Sequence, residues 1–113
     1  MDTHKVRRLT AHLINPANDL LMVAAMDGPG PGGASHKYLI YKPVMYDSHG
    51  KEVGTRVNVD IDFQNGPIAE AGVNGLTQEA LLAIVADRLR SFQAGPYACE
   101  ENAAALGKVT DAM

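Results

Sequence analysis

Apolar and polar residues alternate along the segment RVNVDIDF, which ends at Phe63. One side of this segment carries Val57, Val59, Ile61 and Phe63, and the other carries Arg56, Asn58, Asp60 and Asp62. A period of two predicts a β-strand that is half-buried against a core. The preceding segment HKYLIYKPVMY predicts a second strand that Pro43 interrupts at an edge or a bend. The intervening DSHGK is a turn sequence, so the two strands are expected to form an antiparallel hairpin.

Two shorter segments precede this hairpin. The apolar run DLLMVAAMD, from Asp19 to Asp27, is short enough to favour a buried strand over a helix. The following GPGPGGASH, residues 28–36, has the composition of a loop. Its glycines would also suit a phosphate-binding nest, but neither GK[ST] nor GxGxxG is present, so the plain loop is favoured.

The hydrophobic period changes after Phe63 and predicts a helix from Thr77 to about Gln93. One helical face carries Leu81, Val85, Leu89 and Phe92, with Leu82 and Ile84 at its margins. Thr77 is a suitable N-cap, and Glu79 in the first turn suits the helix dipole. The run Ala94-Gly95-Pro96 is expected to end the helix with a glycine cap.

A second helix is predicted from about Tyr97. Its apolar face would carry Cys99, Leu106, Val109 and Met113. Because the connection is short, the two helices should be antiparallel neighbours in a helical hairpin. The sequence therefore predicts an α+β fold, a small antiparallel sheet followed by a two-helix hairpin. We expect one domain over residues 1–113, with a β-rich region at 1–66 and the hairpin region at 67–113.

Composition excludes several classes of function. The 113 residues carry a formal charge of −3, with 46% hydrophobic and 20% charged residues, as in soluble globular proteins. The one basic run is Lys5, Arg7 and Arg8, so DNA or RNA binding is not expected. With Cys99 as the single cysteine, no intrachain disulfide can form. No segment reads as a signal peptide or membrane span, and a cytoplasmic protein is expected.

Candidate catalytic residues are few. Asp60 and Asp62 lie about 7 Å apart along a strand, a spacing compatible with a pair of hydrolytic carboxylates. Alternate polar residues on a strand are more often its solvated face, which we favour. The four histidines, at positions 4, 12, 36 and 49, lack metal-ligand spacing, and Cys99 has no neighbouring base. We therefore expect no catalytic residue, metal or cofactor.

Polar residues at apolar helix positions indicate more about function than the catalytic candidates do. Arg88 falls between Leu81 and Ile84 on a helical wheel, inside the apolar sector, and Asn102 shares the sector of Leu106. An unpaired buried amide costs a few kcal/mol, so these residues suggest a polar ligand or a register lock at the contact between the helices. Phe92 could stack on a planar ligand. In the alternative interpretation Phe92 is core, Arg88 reaches solvent at the helix margin and Asn102 bonds a backbone group.

The segment FQNGPI…GVNGLTQEALLAIVADRLRSFQ, with the following GPYAC and ENA, resembles the first family of phage anti-Thoeris sponge proteins. Its hairpin is also similar to that of anti-CBASS cyclic-nucleotide sponges. The resemblance covers about residues 62–113. It implies a phage protein, in the cytosol of a bacterial host, that binds a cyclic ADP-ribose isomer without cleaving it. Related proteins also bind cyclic di- and trinucleotides.

The resemblance also implies which residues bind the ligand. Phe92 and Asn102 correspond to a family aromatic residue and a family asparagine. Arg88, Gln93 and Asn74 complete the predicted ligand-binding set. The family pocket lies near a subunit interface. We expect a homo-oligomer, because two short helices leave apolar faces that one small sheet cannot cover. The family pattern continues beyond Met113 with arginines that this sequence lacks, and CEEN stands where many relatives place an arginine before EN. Two other functions stay open: an enzyme that cleaves the same signal, and a module for dimerisation or protein interaction.

Overall fold

The structure is a computed structural model that describes residues 6–113. Two of the residues considered above, His4 and Lys5, lie outside the described residues. The chain divides into two compact units, the first ending at Gly75 and the second running from Leu76 to Met113. The described helices include none that is long and apolar enough to cross a membrane.

The first unit contains a four-stranded antiparallel sheet. Its strands are β1 (Arg7–Leu9), β2 (Met22–Ala25), β3 (Lys37–Lys42) and β6 (Val57–Asp62), and they lie in the order β1-β2-β3-β6. Two shorter strands, β4 (Met45–Tyr46) and β5 (Glu52–Val53), form a separate ribbon. A short helix, α1 (Ile68–Ala71), follows the sheet. With the helices of the second unit, this arrangement confirms the predicted α+β class, an antiparallel sheet followed by a helical hairpin.

The predicted hairpin is present, with its ladder interrupted. β3 pairs with β6 from Lys37 opposite Asp62 to Lys42 opposite Val57. Beyond this ladder, Pro43 separates β3 from β4, as a residue without an N–H donor should. The DSHGK turn therefore connects β4 to β5 and closes their small ribbon. The β3–β6 pair is formed by the strands that precede and follow this ribbon in the sequence. β1 was not predicted, because three residues beginning with two arginines carry too little apolar pattern.

The buried centre of the sheet is made of small side chains. Ala24 and Ala25 of β2 are completely buried, and Ser35 and His36 are also buried just before β3. The Asp27 carboxylate holds this entry to β3, because it accepts hydrogen bonds from the backbone N–H groups of His36 and Lys37, at 3.0 Å each. These bonds, the one from Lys37 above all, lower the pKa of Asp27 below its ordinary value of 3.8.

The glycine- and amide-rich stretch after β6 is closed by side-chain amides. Asn74 accepts from the Asn65 N–H at 2.9 Å and donates its Nδ2 to the Asn65 carbonyl at 2.7 Å. Gln64 accepts from the Asn74 N–H at 3.0 Å and donates to the Gly72 carbonyl at 2.8 Å. We call this set of bonds between Gln64, Asn65, Gly72 and Asn74 the amide clasp. The amide clasp explains why amides and glycines follow the strand pattern, because the side-chain amides form hydrogen bonds with the backbone groups of this stretch.

The second unit consists of α2 (Gln78–Gln93) and α3 (Glu100–Ala112), which pack against each other. Thr77 caps α2, as predicted, by accepting from the Ala80 N–H at 3.2 Å. The helix ends at Gln93 as predicted, but the prediction of a glycine cap is wrong. The capping residue is Ala94 in right-handed helical conformation, and Gly95 does not adopt a positive φ.

The buried face of α2 is rotated from the predicted one. Ala86 is completely buried, and Leu82, Leu89 and Gln93 are partly buried around it. Val85 and Phe92, expected at the centre of the stripe, are 43% and 39% exposed. A small residue at the point of closest packing lets two helices approach, so the contact forms at Ala86 and the larger side chains lie beside it.

The second helix begins later than predicted. α3 starts at Glu100, and Cys99 is its N-cap, with the Sγ atom 3.4 Å from the Asn102 N–H. Cys99 is exposed, so its predicted place in the apolar stripe is wrong. The partly buried side of α3 carries Asn102, Ala105, Leu106, Val109 and Thr110. Met113 is 51% exposed and does not belong to it.

Gly75 lies close to the backbone of Phe63. A Cβ atom at this position would lie 2.5 Å from the Phe63 carbonyl carbon and 2.6 Å from its oxygen. We expect Gly75→Ala to lower the free energy of unfolding by about 2 kcal/mol or more, because backbone cannot move aside as a flexible side chain can. Gly107→Ala in α3 is the matched control, since a Cβ there meets nothing within 4 Å.

Urea unfolding of Gly75→Ala and Gly107→Ala measures how much each substitution changes the free energy of unfolding. The control should gain up to about 1 kcal/mol from helix propensity. Equal stability of Gly75→Ala and the wild type would contradict the described contact.

Candidate ligand-binding site on the helical hairpin

Arg88 and Phe92 form an exposed pair on α2. They are four residues apart, and the guanidinium carbon lies 5.4 Å from the centroid of the phenyl ring. Both side chains are exposed, so the prediction that Arg88 lies inside an apolar contact between the helices is wrong. The helix spacing alone brings the two together, and a cation over an aromatic face at an exposed site contributes about 0.5–1 kcal/mol. We call this feature the Arg88–Phe92 pair.

Asn102 lies on the first turn of α3 and is partly buried on the side that carries Leu106 and Val109, as the sequence predicted. Its backbone N–H donates to Cys99 Sγ. Its side-chain amide makes no hydrogen bond to any residue of the described range 6–113. The alternative in which this amide bonds a backbone group is therefore not seen, and the amide keeps its donors and acceptor for another partner.

Hydrogen bonds connect the end of α2 to the start of α3. Gln93 Oε1 accepts from the Cys99 N–H at 3.0 Å, and Cys99 Sγ in turn accepts from Asn102. Gln93 follows Phe92 directly in sequence. The connection therefore holds the turn that carries Phe92 next to the turn that carries Asn102. Gln93 itself uses its carbonyl oxygen in this role, which leaves its NH2 group as the part available to a ligand.

Asn74 is placed differently from the other four predicted residues. It belongs to the first unit, and both ends of its side-chain amide are engaged in the amide clasp. Arg88, Phe92, Gln93 and Asn102 all belong to the second unit, and the contact between Arg88 and Phe92 is the one described among their side chains. The structure does not give Asn74 a free amide to offer a ligand.

The charge of the second unit is acidic. Its cations are Arg88, Arg90 and Lys108, and its carboxylates are Glu79, Asp87, Glu100, Glu101 and Asp111. Because carboxylates outnumber cations, attraction of an anionic group depends on individual arginines and not on a basic surface. Arg88 is the arginine that is held against an aromatic ring.

The candidate carboxylates and histidines considered in the sequence belong to the first unit. Asp60 and Asp62 are exposed on β6, as on a solvated face, and Asp62 forms an ion pair with Lys37 at 3.0 Å. His12 Nε2 lies 2.6 Å from the Leu21 carbonyl, whereas His36 is buried at the entry to β3. Within the part of the chain that the structure describes, no group of three His, Cys, Asp or Glu residues could hold a metal ion.

Part of the apolar face that the sequence predicted on α2 is exposed. Ile84 is 60% exposed, and Val85 and Phe92 are exposed on the same side of the helix. The helical wheel contained these residues, but it assigned them to the core. Only the position of the contact with α3, at Ala86, could show that they stay uncovered in a single chain.

A comparison with protein families matches residues 55–113 to the family described as Acb2/Tad1, hairpin domain. A comparison with curated proteins finds Thoeris anti-defense 1 of Bacillus phage SBSphiJ7, which is 43% identical over 53 residues. That match takes in 47% of this chain but 37% of the relative, so the chain spans little more than a third of the relative's length. The family match contains the whole second unit, with the Arg88–Phe92 pair and Asn102. The chain belongs to the Acb2/Tad1 hairpin-domain family.

Proposed function

We propose that this protein is a phage-encoded immune-evasion protein that binds a nucleotide-derived immune signal and holds it intact. The signal would be a cyclic ADP-ribose isomer, and cyclic oligonucleotides are further candidates. The name of the relative, an anti-defence protein against Thoeris, supports this assignment. The site of action would be the cytosol of an infected bacterium.

One observation carries the proposal: an exposed arginine–phenylalanine pair lies on α2, in the same compact unit as an asparagine on α3 whose side-chain amide has no partner among the described residues. Adenine would stack on the phenyl ring, as bases do on aromatic side chains. The Asn102 amide would bond a polar edge of the base or ribose. The guanidinium would bond a pyrophosphate oxygen, because it stays charged and presents several donors.

Sequestration is energetically reasonable for a ligand of this kind. About three dozen heavy atoms at about −0.3 kcal/mol each give about −11 kcal/mol, which corresponds to nanomolar affinity. Binding of that strength removes a signal if the protein is abundant, and no chemical step is needed. We therefore propose a binding protein and not an enzyme.

The exposed apolar surface of α2 supports a homo-oligomer. Ile84, Val85 and Phe92 would be covered by a second copy, as large exposed apolar patches commonly are. The same surface supports an alternative function, a module for dimerisation or interaction that binds no small ligand. A partner copy could also bring further arginines to the pyrophosphate.

The proposal is tested by recovery of the ligand. The protein is incubated with a cyclic ADP-ribose isomer, separated from free ligand and then heated to release what it holds. We expect intact ligand in the supernatant, identified by chromatography and mass spectrometry. Linear ADP-ribose would show cleavage, and no retained ligand would favour the interaction module.

Asn102 is expected to contribute directly to binding. Asn102→Ala should weaken binding by about tenfold or more, because the site then lacks a hydrogen bond worth about 1–2 kcal/mol. Thr110→Ala is the matched control, since Thr110 is partly buried on the same face of α3 two turns later. Calorimetry measures affinity, and thermal unfolding measures stability. A loss of stability in Asn102→Ala with unchanged affinity would assign Asn102 to the core.

Arg88 is expected to contribute to affinity through the attraction of its positive charge for the pyrophosphate of the ligand. Arg88→Gln should weaken binding by about tenfold at low salt and flatten the dependence of affinity on ionic strength. Arg90→Gln removes a neighbouring exposed arginine that does not lie over Phe92, and it should change affinity by about twofold or less. Equal effects of the two substitutions would mean that the position of Arg88 over the ring has no importance.

A further inference from the structure

A cleft lies in the first unit at the end of the β3–β6 ladder. Its volume is about 240 Å3, and it is lined by His36, Lys37, Asp62, Phe63, Asn65 and Asn74. The last ladder pair, Lys37 opposite Asp62, lies at its base, followed by a hydrogen bond from the Phe63 N–H to the His36 carbonyl at 2.8 Å. We propose that this cleft is a binding site for a neutral nucleoside of the adenosine type.

The walls of the cleft are held in place before any ligand binds. Asp27 fixes the backbone of His36 and Lys37 on one side. On the other side the amide clasp fixes the backbone of Asn65 and the side chain of Asn74. A preformed site is favourable because little ordering of the chain is needed on binding. The clasp uses only the backbone of Asn65, so the side-chain amide of Asn65 makes no hydrogen bond within the described residues.

The imidazole of His36 is a second side chain at the cleft with a polar atom that lacks a hydrogen-bond partner among the described residues. The residue is only 8% exposed, and its Nδ1 has no hydrogen-bond partner in the described part of the chain. The Nδ1–Cε1 edge of the ring lies against Gly30, where a Cβ would be 3.1 Å from Nδ1. Burial of a bare acceptor is easier than burial of an N–H, so the tautomer with a proton on Nε2 is favoured. Nε2–H is then the donor that His36 can offer to the cleft.

The charges around the cleft disfavour phosphate. Among the six lining residues, Lys37 is the one permanently charged cation, and Asp62 is bonded to it. Asp62, Asp27 and Asp60 all raise the pKa of Lys37, with the hydrogen bond to Asp62 as the main cause. Three carboxylates near one ammonium make this region negative, and a phosphate group would be repelled. A neutral ligand that brings N–H and O–H donors would be attracted.

The remaining groups match an adenine nucleoside. A free asparagine amide can pair with the amino group and ring nitrogen of adenine in a bidentate manner. The Asp62 carboxylate can accept a ribose hydroxyl, and Phe63 supplies an aromatic wall. The volume is below the range of about 300–1,000 Å3 of drug-sized pockets, so the cleft suits a single nucleoside and not a dinucleotide.

The test is an NMR titration of the 15N-labelled protein with adenosine, and with AMP in a parallel series. We expect saturable shifts of the amide signals of His36, Lys37, Asn65 and Asn74, with a dissociation constant on the order of 1 mM for so small a ligand. AMP should bind at least about threefold more weakly, because its phosphate meets the carboxylates. No shift at the cleft, or tighter binding of AMP than of adenosine, would overturn the proposal.

Two substitutions localise the binding. Asp62→Asn and Asn65→Ala should each weaken adenosine binding by about fivefold or more. Asp60→Asn, on the same face of β6 but outside the lining, should change it by about twofold or less. Asp62 is about half-exposed and Asn65 keeps its backbone bonds, so both variants should fold, as their spectra will show. Equal weakening by Asp60→Asn and Asp62→Asn would contradict the site.

This inference does not rest on the proposed function of the hairpin. Arg88→Gln and Asn102→Ala should leave adenosine binding in the cleft unchanged. If they abolish it, adenosine binds at the hairpin and the cleft is not a separate site. If the hairpin fails to retain a cyclic ADP-ribose isomer while adenosine shifts the cleft signals, the sponge proposal fails and the nucleoside site stands.

Discussion

The hydrogen bond from the Cys99 N–H to Gln93 Oε1 holds the end of α2 against the start of α3. It closes the connection between α2 and α3, where no glycine with positive φ is present to turn the chain. Because Gln93 follows Phe92 and Cys99 caps the helix of Asn102, this bond constrains the distance between the two turns that carry the proposed ring and amide contacts. A binding site for a small rigid ligand depends on such constrained distances, since misplacement by about 1 Å is enough to weaken several contacts together.

In both units, side-chain amides hold loops in place through hydrogen bonds to the backbone. In the first unit Gln64 and Asn74 close the stretch that contains the four-residue helix α1, and in the second unit Gln93 closes a turn. Each amide satisfies backbone groups that would otherwise need water or regular structure. The completely buried apolar side chains of the described residues are alanines, so these polar bonds add to a small core.

The two candidate sites have opposite electrostatic character. The hairpin offers an arginine held over a phenyl ring, which suits an anion attached to a planar base. The cleft offers a carboxylate, an amide and an imidazole around one neutralised lysine, which suits an uncharged ring that donates hydrogen bonds. We expect each arrangement to disfavour the ligand of the other, because like charges repel and an unmatched charge lowers affinity.

The sequence by itself determined the longer elements and their order, whereas the short β1 and α1 were not predicted. The period-two alternation of β6, the N-cap at Thr77 and the end of α2 at Gln93 are local properties, set by side-chain direction and backbone hydrogen bonding within a few residues. The family was also readable, since the segment from Phe63 onward keeps its glycines, amides and helix pattern together. What only the tertiary structure decided is which side of each element is covered. Arg88 and Phe92 are exposed because α3 packs at Ala86, and the cleft exists because residues from 36 to 74 meet at one end of the ladder. Such contacts depend on shape and volume between distant residues, which a helical wheel or a strand pattern does not contain.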